Sequence, residues 1–406
     1  MTARMGSGAG SELRAGWRLI VAALLGTAFG LPTLPFYTVG IFAPIFAAQF
    51  GWSFASIFAG LIVSTLVLLL GGAWIGYVID RRGARTVAAA SLAGLGLGYM
   101  TLALLDGSLV QYYVSWLILS AAGIGATSIS FTAVINGAFS HVRGLALGVA
   151  LSGIGLFALI VKPLAGWIIE VAGWRASIVV IGCLPVLAMP VVLWAIPARS
   201  AASAERPAAD SGGLKKAVRT RAFKLLVCAF VAISFANGAP IPHLENILRS
   251  AYIDSQEILT LTSSVGAAII LGRVAGGWLL DRVWAPIIGV VVLCAAALGL
   301  VMLSHANVDA STARIAILLL GFAGGVEVDL LPYLTARYLG VRNYGAVYGA
   351  LFGLFALGAG VGPSLIGWAF DYFASYSQIL TVCAGMLLLA AMLLLCLGRY
   401  PEDVRA

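Results

Sequence analysis

Charge is what this sequence has least of. Among its 406 residues only 10% are Asp, Glu, Lys or Arg, while 61% are hydrophobic; an average soluble domain carries roughly 25% charged residues. A water-soluble globule cannot hide so much apolar surface, and that class is excluded. Short segments of alternating polarity are also missing, which argues against a membrane β-barrel. Cysteine is sparse. Cys183, Cys228, Cys294, Cys383 and Cys396 each sit in an apolar run without paired or metal-type spacing, so they read as packing residues. There is no phosphate-cradling glycine loop, no cluster of metal ligands and no nucleophile with a paired base. Neither an enzyme nor an ATP-driven pump is expected, and no cofactor or metal.

What is present is a series of long apolar runs, each of the clearest about 20 residues or more, enough for a helix to cross ~30 Å of hydrocarbon. Spans are read near 18–47, 54–79, 86–105, 110–137, 145–169 and 175–197, then near 221–247, 256–280, 285–304, 312–337, 343–370 and 374–398. The expected fold class is an all-α membrane protein of twelve transmembrane helices. Residues 1–17 form a polar tail, 18–197 a first six-helix half, 198–220 a polar basic linker, 221–398 a second six-helix half and 399–406 a C-terminal tail. The first apolar stretch lacks a short h-region with a cleavage site and reads as a retained span, not a signal peptide. The net charge of +8 is dispersed among loops flanking the spans, which points to topology and not to nucleic acid. With the N-terminus inside, Arg81, Arg82, Arg85, Arg143, the linker, Arg282, Arg337 and Arg342 share one side. Both termini are therefore expected in the cytoplasm, in a plasma or bacterial inner membrane.

The halves repeat. "GYVIDRRG" at 76–83 recurs as "GWLLDRVW" at 277–284, and Gly153, Pro163, Gly166 and Trp167 correspond to Gly353, Pro363, Gly367 and Trp368. A repeat with an even number of spans keeps both halves in the same orientation and predicts a pseudo-two-fold axis along the membrane normal with a central cavity. "GYVIDRRGAR" resembles the loop signature of the major facilitator superfamily, and the resemblance covers the whole chain. Within it, "RGLALGVALSG" (143–153), "GRVAGGWLLDR" (272–282) and "VDLLPYLTARYLG" (328–340) look like the monocarboxylate-porter and oxalate:formate-antiporter branch. That resemblance implies a carrier of small organic anions, often moved with protons, with an arginine in the eighth span that Arg273 matches. The animal porters often carry an acid one turn earlier, where this chain has Ile269. The antiporters carry a lysine in the eleventh span, where it has Gly362.

Charges inside spans each need a partner, a wet cavity or neutralisation, because a charge at mid-membrane costs ~2.5–3.5 kcal/mol even on a lenient scale. Lys162, Arg273, Glu327 and Asp329 are such residues. Glu327 and Asp329 are two residues apart, about 200° around a helix, so they cannot face one cavity together. Both are candidate proton-coupling residues, one expected to reach the transport path while the other lies against a neighbouring helix; Arg273 and Asp329 lie nearly level in depth, which makes Asp329 the better structural partner and slightly favours Glu327 for the path. Arg273 and Lys162 are candidate anion-binding cations. Paired prolines break the first span in "GLPTLPFYTVG" (30–40) and the seventh in "NGAPIPHLENI" (237–247), and irregular backbone at membrane depth usually lines a cavity. Tyr37, Asn237 and His243 at these breaks, with Asn136, complete the candidate substrate-binding set. Asp80, Arg81, Arg85, Asp281 and Arg282 are candidate gating residues, able to latch neighbouring helices in one access state.

The function expected is a secondary active transporter, functional as a monomer in the lipid bilayer, that moves a small-molecule carboxylate, with protons, by alternating access. An anion exchanger and an exporter of amphipathic or cationic compounds are the alternatives on the same fold. A non-transporting receptor on this scaffold would bind ligand without flux.

Overall fold

The computed structural model describes residues 9–198, 213–251, 253–305 and 308–401, and among these no strand occurs. Among the described residues eleven helical stretches are long and apolar enough to cross a membrane, and Leu34–Phe50 is a shorter apolar helix. The chain divides into two compact units: Met1–Leu214 together with Val341–Gly353, and Lys215–Gly340 together with Leu354–Ala406.

The first unit contains α1 (Ala9–Ala28), α2 (Leu34–Phe50), α3 (Phe54–Arg82) and α4 (Ala84–Met100), which runs on into a 3₁₀ turn at Thr101–Leu104. Helices α5 (Leu109–Gly123), α6 (Ser128–Ala138), α7 (Arg143–Leu151) and α8 (Gly153–Ala195) follow. The single span expected near 18–47 is two helices. Pro32 and Pro35 lack the N–H a continuous helix needs there, and the Leu31 N–H instead donates to the Ala126 carbonyl at 2.8 Å. Ala126 lies in a second break, between α5 and α6, that no proline announces. Ser130 Oγ donates to the Gly125 carbonyl at 2.6 Å there, and Thr127 Oγ1 accepts from the Ile129 N–H to cap α6. The two breaks satisfy each other's backbone, which is how irregular chain persists in a buried setting. A Cβ on Gly30 would meet the Ala126 oxygen at 2.5 Å, so the approach requires glycine. In α8, Gly173 at φ +80° separates two helices. Next to it Arg175 donates to the Ala103 and Leu105 carbonyls at 3.1 and 3.0 Å, closing the end of the 3₁₀ turn.

The second unit holds α10 (Arg221–Gly238), a 3₁₀ turn at Ile241–His243, α11 (Leu244–Ser250), α12 (Ser255–Leu280), α13 (Ala285–Ser304), α14 (Ala310–Leu339) and α16 (Ser377–Leu395). The short α9 (Gly213–Arg219) precedes them, and α15 (Tyr344–Phe373) begins in the first unit and ends in the second. Helices α12 and α14 come together through glycine. A Cβ on Gly272 would lie 2.2 Å from the Phe322 carbonyl oxygen, and one on Gly325 would lie 2.3 Å from that of Ile269. This backbone-to-backbone contact sets Arg273, the neighbour of Gly272, against α14.

Candidate functional site

Three charged side chains are fully buried among the described residues: Arg273 at 3% exposure, Glu327 at 7% and Asp329 at 0%. All three belong to the second unit. Two residues apart on α14, the acids turn to different neighbours. Arg273 Nη1 on α12 stands 3.3 Å from Asp329 Oδ1. On the other side Asn237 Nδ2, one residue before the end of α10, donates to Glu327 Oε2 at 3.0 Å, and Arg273 is within electrostatic reach of Glu327 as well. The set leaves hydrogen-bonding capacity unused: Arg273 Nε, Asp329 Oδ2 and Asn237 Oδ1 are buried without a partner. Such orphans are costly in a dry interior. A guanidinium held by one long bond still has donors for a second carboxylate.

The other candidate residues fall elsewhere. Tyr37 is half-buried on α2 and lines an open cavity of about 500 Å³ with Phe36, Gly40, Ile41 and Phe58; its ring is 5.2 Å from that of Phe36, edge to face. Asn136 is buried on α6, one turn beyond Thr132, whose Oγ1 accepts from the Tyr344 hydroxyl at 2.9 Å. The Asn136 carbonyl accepts from Arg143 Nη2 at 3.5 Å. His243 packs against α15: its Nε2 is 2.9 Å from the Pro363 carbonyl oxygen, which ties the 3₁₀ turn at Ile241–His243 to that helix. Lys162 stands in α8, and its side chain lies outside the described residues. Among the described residues no group of His, Cys, Asp and Glu could hold a metal ion.

The signature loop makes a specific contact. Asp80, near the end of α3, accepts from the Gly345 N–H at 2.9 Å and the Ala346 N–H at 3.0 Å. Its carboxylate thus caps the first turn of α15, where unpaired N–H groups and the helix dipole favour an anion. Below it α3 and α15 cross on glycine: a Cβ on Gly76 would meet the Gly345 oxygen at 1.8 Å, and one on Gly349 the Gly72 oxygen at 2.1 Å. Arg81 lies over the Tyr77 ring at 4.7 Å, and Arg282 repeats the motif over Trp278 at 3.9 Å. Asp281 is within electrostatic reach of Arg337. Arg85 is half-buried with no partner for its Nε. Sequence reasoning missed the Gly345 and Ala346 amides and the Thr132–Tyr344 bond. Hydroxyls scattered through apolar runs carry no spacing signal, and a backbone N–H has none in any sequence.

Among the described residues the fold is all-helical, with a repeated Asp-Arg loop and charge buried in one unit, a pattern that agrees with a membrane transporter. The Major Facilitator Superfamily profile matches residues 19–363, and the chain belongs to that family. It is 26% identical to monocarboxylate transporter 13 of Bos taurus over 304 residues, covering 74% of this chain and 71% of the relative. It is 24% identical to monocarboxylate transporter 11 of Mus musculus over 403 residues, covering 95% and 88%. Among solved structures it resembles the human organic anion transporter MFSD10 with TM-score 0.72 and 18% identity, over 94% of this chain and 99% of that one. The fucose:proton symporter FucP of E. coli matches with TM-score 0.69 and 17% identity, over 94% and 99%.

Proposed function

We propose that the protein carries a small organic carboxylate across the plasma membrane together with a proton, by alternating access and with both termini cytoplasmic. The observation that carries this reading is the buried group of Arg273, Asp329, Glu327 and Asn237. It contains one cation for an anionic substrate and two carboxylates with separate partners. A substrate carboxylate arriving at Arg273 competes with Asp329 for the guanidinium, whose planar fork suits two parallel hydrogen bonds. Glu327, held by a neutral amide, is free to change protonation without breaking an ion pair, which makes it the proton carrier. Asp80, by holding the first turn of α15, stabilises one access state and releases it when substrate shifts the balance. The names of the monocarboxylate relatives, and that of the organic anion transporter among the structural neighbours, agree with an anionic substrate.

The test is uptake of a labelled carboxylate panel into proteoliposomes with and without an inward proton gradient. Accumulation of at least one monocarboxylate that rises with the gradient is expected. Arg273→Lys should lower that uptake about tenfold or more, equivalent to ~1.4 kcal/mol, because an ammonium cannot reproduce a two-pronged grip. Uptake by Arg273→Lys at the parent's rate would remove Arg273 from the substrate site.

A further inference from the structure

We infer that Asn237 is a two-state hydrogen-bond partner that keeps Glu327 satisfied in both of its protonation states, by turning its amide over when the proton arrives. The inference rests on the proposed role of Glu327. A buried carboxyl that cycles between charged and neutral meets a partner problem. The ionised form only accepts hydrogen bonds, whereas the protonated form must also donate one. A lysine or arginine partner suits the first state alone. A primary amide is the neutral side chain that presents a donor and an acceptor on the same carbon, exchanged by a half-turn about one bond.

Asn237 has the required surroundings. It is buried to 1% exposure. Its Nδ2 faces Glu327 Oε2 at 3.0 Å while its Oδ1 has no partner, so nothing holds the amide oxygen where it is. Beside it stands Gly324, where a Cβ would lie 3.4 Å from Asn237 Nδ2, in van der Waals contact; with glycine there, no side chain from that position packs on the amide. With Glu327 ionised, Nδ2–H donates to the carboxylate. With Glu327 protonated, its O–H donates to Oδ1 after the half-turn, so one hydrogen bond is present throughout. The other charged groups near Glu327 are Arg273 from α12 and Asp329 on its own helix. Helix α13 carries no Asp, Glu, Lys, Arg or His, and α10 has its cations, Arg221 and Lys224, in its first turn, remote from Asn237. Asn237 is thus a positioning residue that acts through Glu327.

Infrared difference spectroscopy on the whole protein in lipid, stepped through pH without substrate, tests this directly. The protonated-carboxyl C=O band of Glu327 is the one that Glu327→Gln removes. In the parent, with carbon-13 in the side-chain amide of asparagine, an asparagine amide band should move in step with that carboxyl band, and the same coupled band should be missing from Asn237→Gln. Asn237→Leu removes the donor to the charged form, a charge-assisted bond and so the stronger of the two. The carboxyl band and the pH midpoint of accumulation should then rise by about one pH unit or more, while Asn237→Gln stays near the parent. An asparagine band that ignores the Glu327 titration overturns the inference, as does an unchanged midpoint in Asn237→Leu. If Asn237→Leu does not fold, the isotope experiment on the parent decides alone. A parent that shows no proton-driven uptake defeats the transport reading, and the infrared result still decides the role of Asn237.

Discussion

The two units differ in the polar groups they place in an apolar interior. The buried polar side chains described in the first unit are neutral; several close on backbone or on each other, while both side-chain polar atoms of Asn136 are buried without a partner. Thr27 donates to the Ala150 carbonyl at 2.7 Å, Tyr99 to Thr38 at 2.7 Å, and Ser64 and Ser120 share a bond of 2.6 Å. The second unit buries a guanidinium and two carboxylates and leaves some of their capacity unused. Neutral hydrogen bonds of this kind hold helices in place at little risk. Buried charge is expensive unless paired and is kept where an ion or a charged substrate has to be handled. On the proposed reading the first unit supplies framework and latch, and the second supplies the chemistry.

The largest effect should come from leaving one of the buried charges alone. Arg273→Leu strands Asp329 and should cost ~3–5 kcal/mol of stability. Arg273→Leu with Asp329→Leu should recover most of that in thermal unfolding while leaving carboxylate uptake absent. Equal instability of the single and double variants would mean that the pair is not coupled. Next in size, Asp80→Asn keeps one acceptor for the α15 amides but loses the charge that the helix dipole favours. Turnover should fall several-fold with substrate affinity within a few-fold of the parent, and an introduced cysteine should report a changed access equilibrium. A collapse of affinity with an unchanged equilibrium would end the latch assignment. Among the buried neutral groups of the first unit Thr27→Val should cost only ~1 kcal/mol and leave the pH dependence of transport unaltered, the outcome expected of a structural hydroxyl.

The smallest effect should belong to Glu12, ahead of the first span. Burial raises its pKa, but hydrogen bonds from His141, Ser140 and the backbone N–H groups of His141 and Val142 outweigh this and hold the carboxyl down at about 2. A depressed acid contributes stability above its ordinary value of 4.5 and loses it as pH falls toward 2. The melting difference between the parent and Glu12→Gln should therefore close as pH falls from about 4.5 toward 2. A difference that persists undiminished to about pH 2 would show that the Glu12 carboxylate does not control this cap.

What could be read in the sequence followed from chemistry local to a stretch of chain. Span lengths and the break at Pro32 and Pro35 are of this kind, and the half-chain repeat is legible from self-similarity. Helical geometry alone separates Glu327 from Asp329, and their depth sets Asp329 level with Arg273. The break between α5 and α6 was not legible, because it is made by bonds from Leu31 and Ser130 and not by a residue that forbids helix. Nor was the partner of Glu327. Asn237 stands out in the sequence as a polar residue at a broken helix, which suggests a cavity, but only packing decides that α10 turns it toward α14. His243 shows the same limit, since its carbonyl partner at Pro363 is 120 residues away.

The most direct measurement compares two modes of transport in proteoliposomes, accumulation driven by a pH gradient and exchange of labelled for unlabelled carboxylate, for Glu327→Gln and Asp329→Asn. Glu327→Gln should lose accumulation and keep exchange. Asp329→Asn should still accumulate substrate on the gradient, however weakened. If both variants accumulate substrate like the parent, Glu327 does not carry the proton and the buried acids are structural.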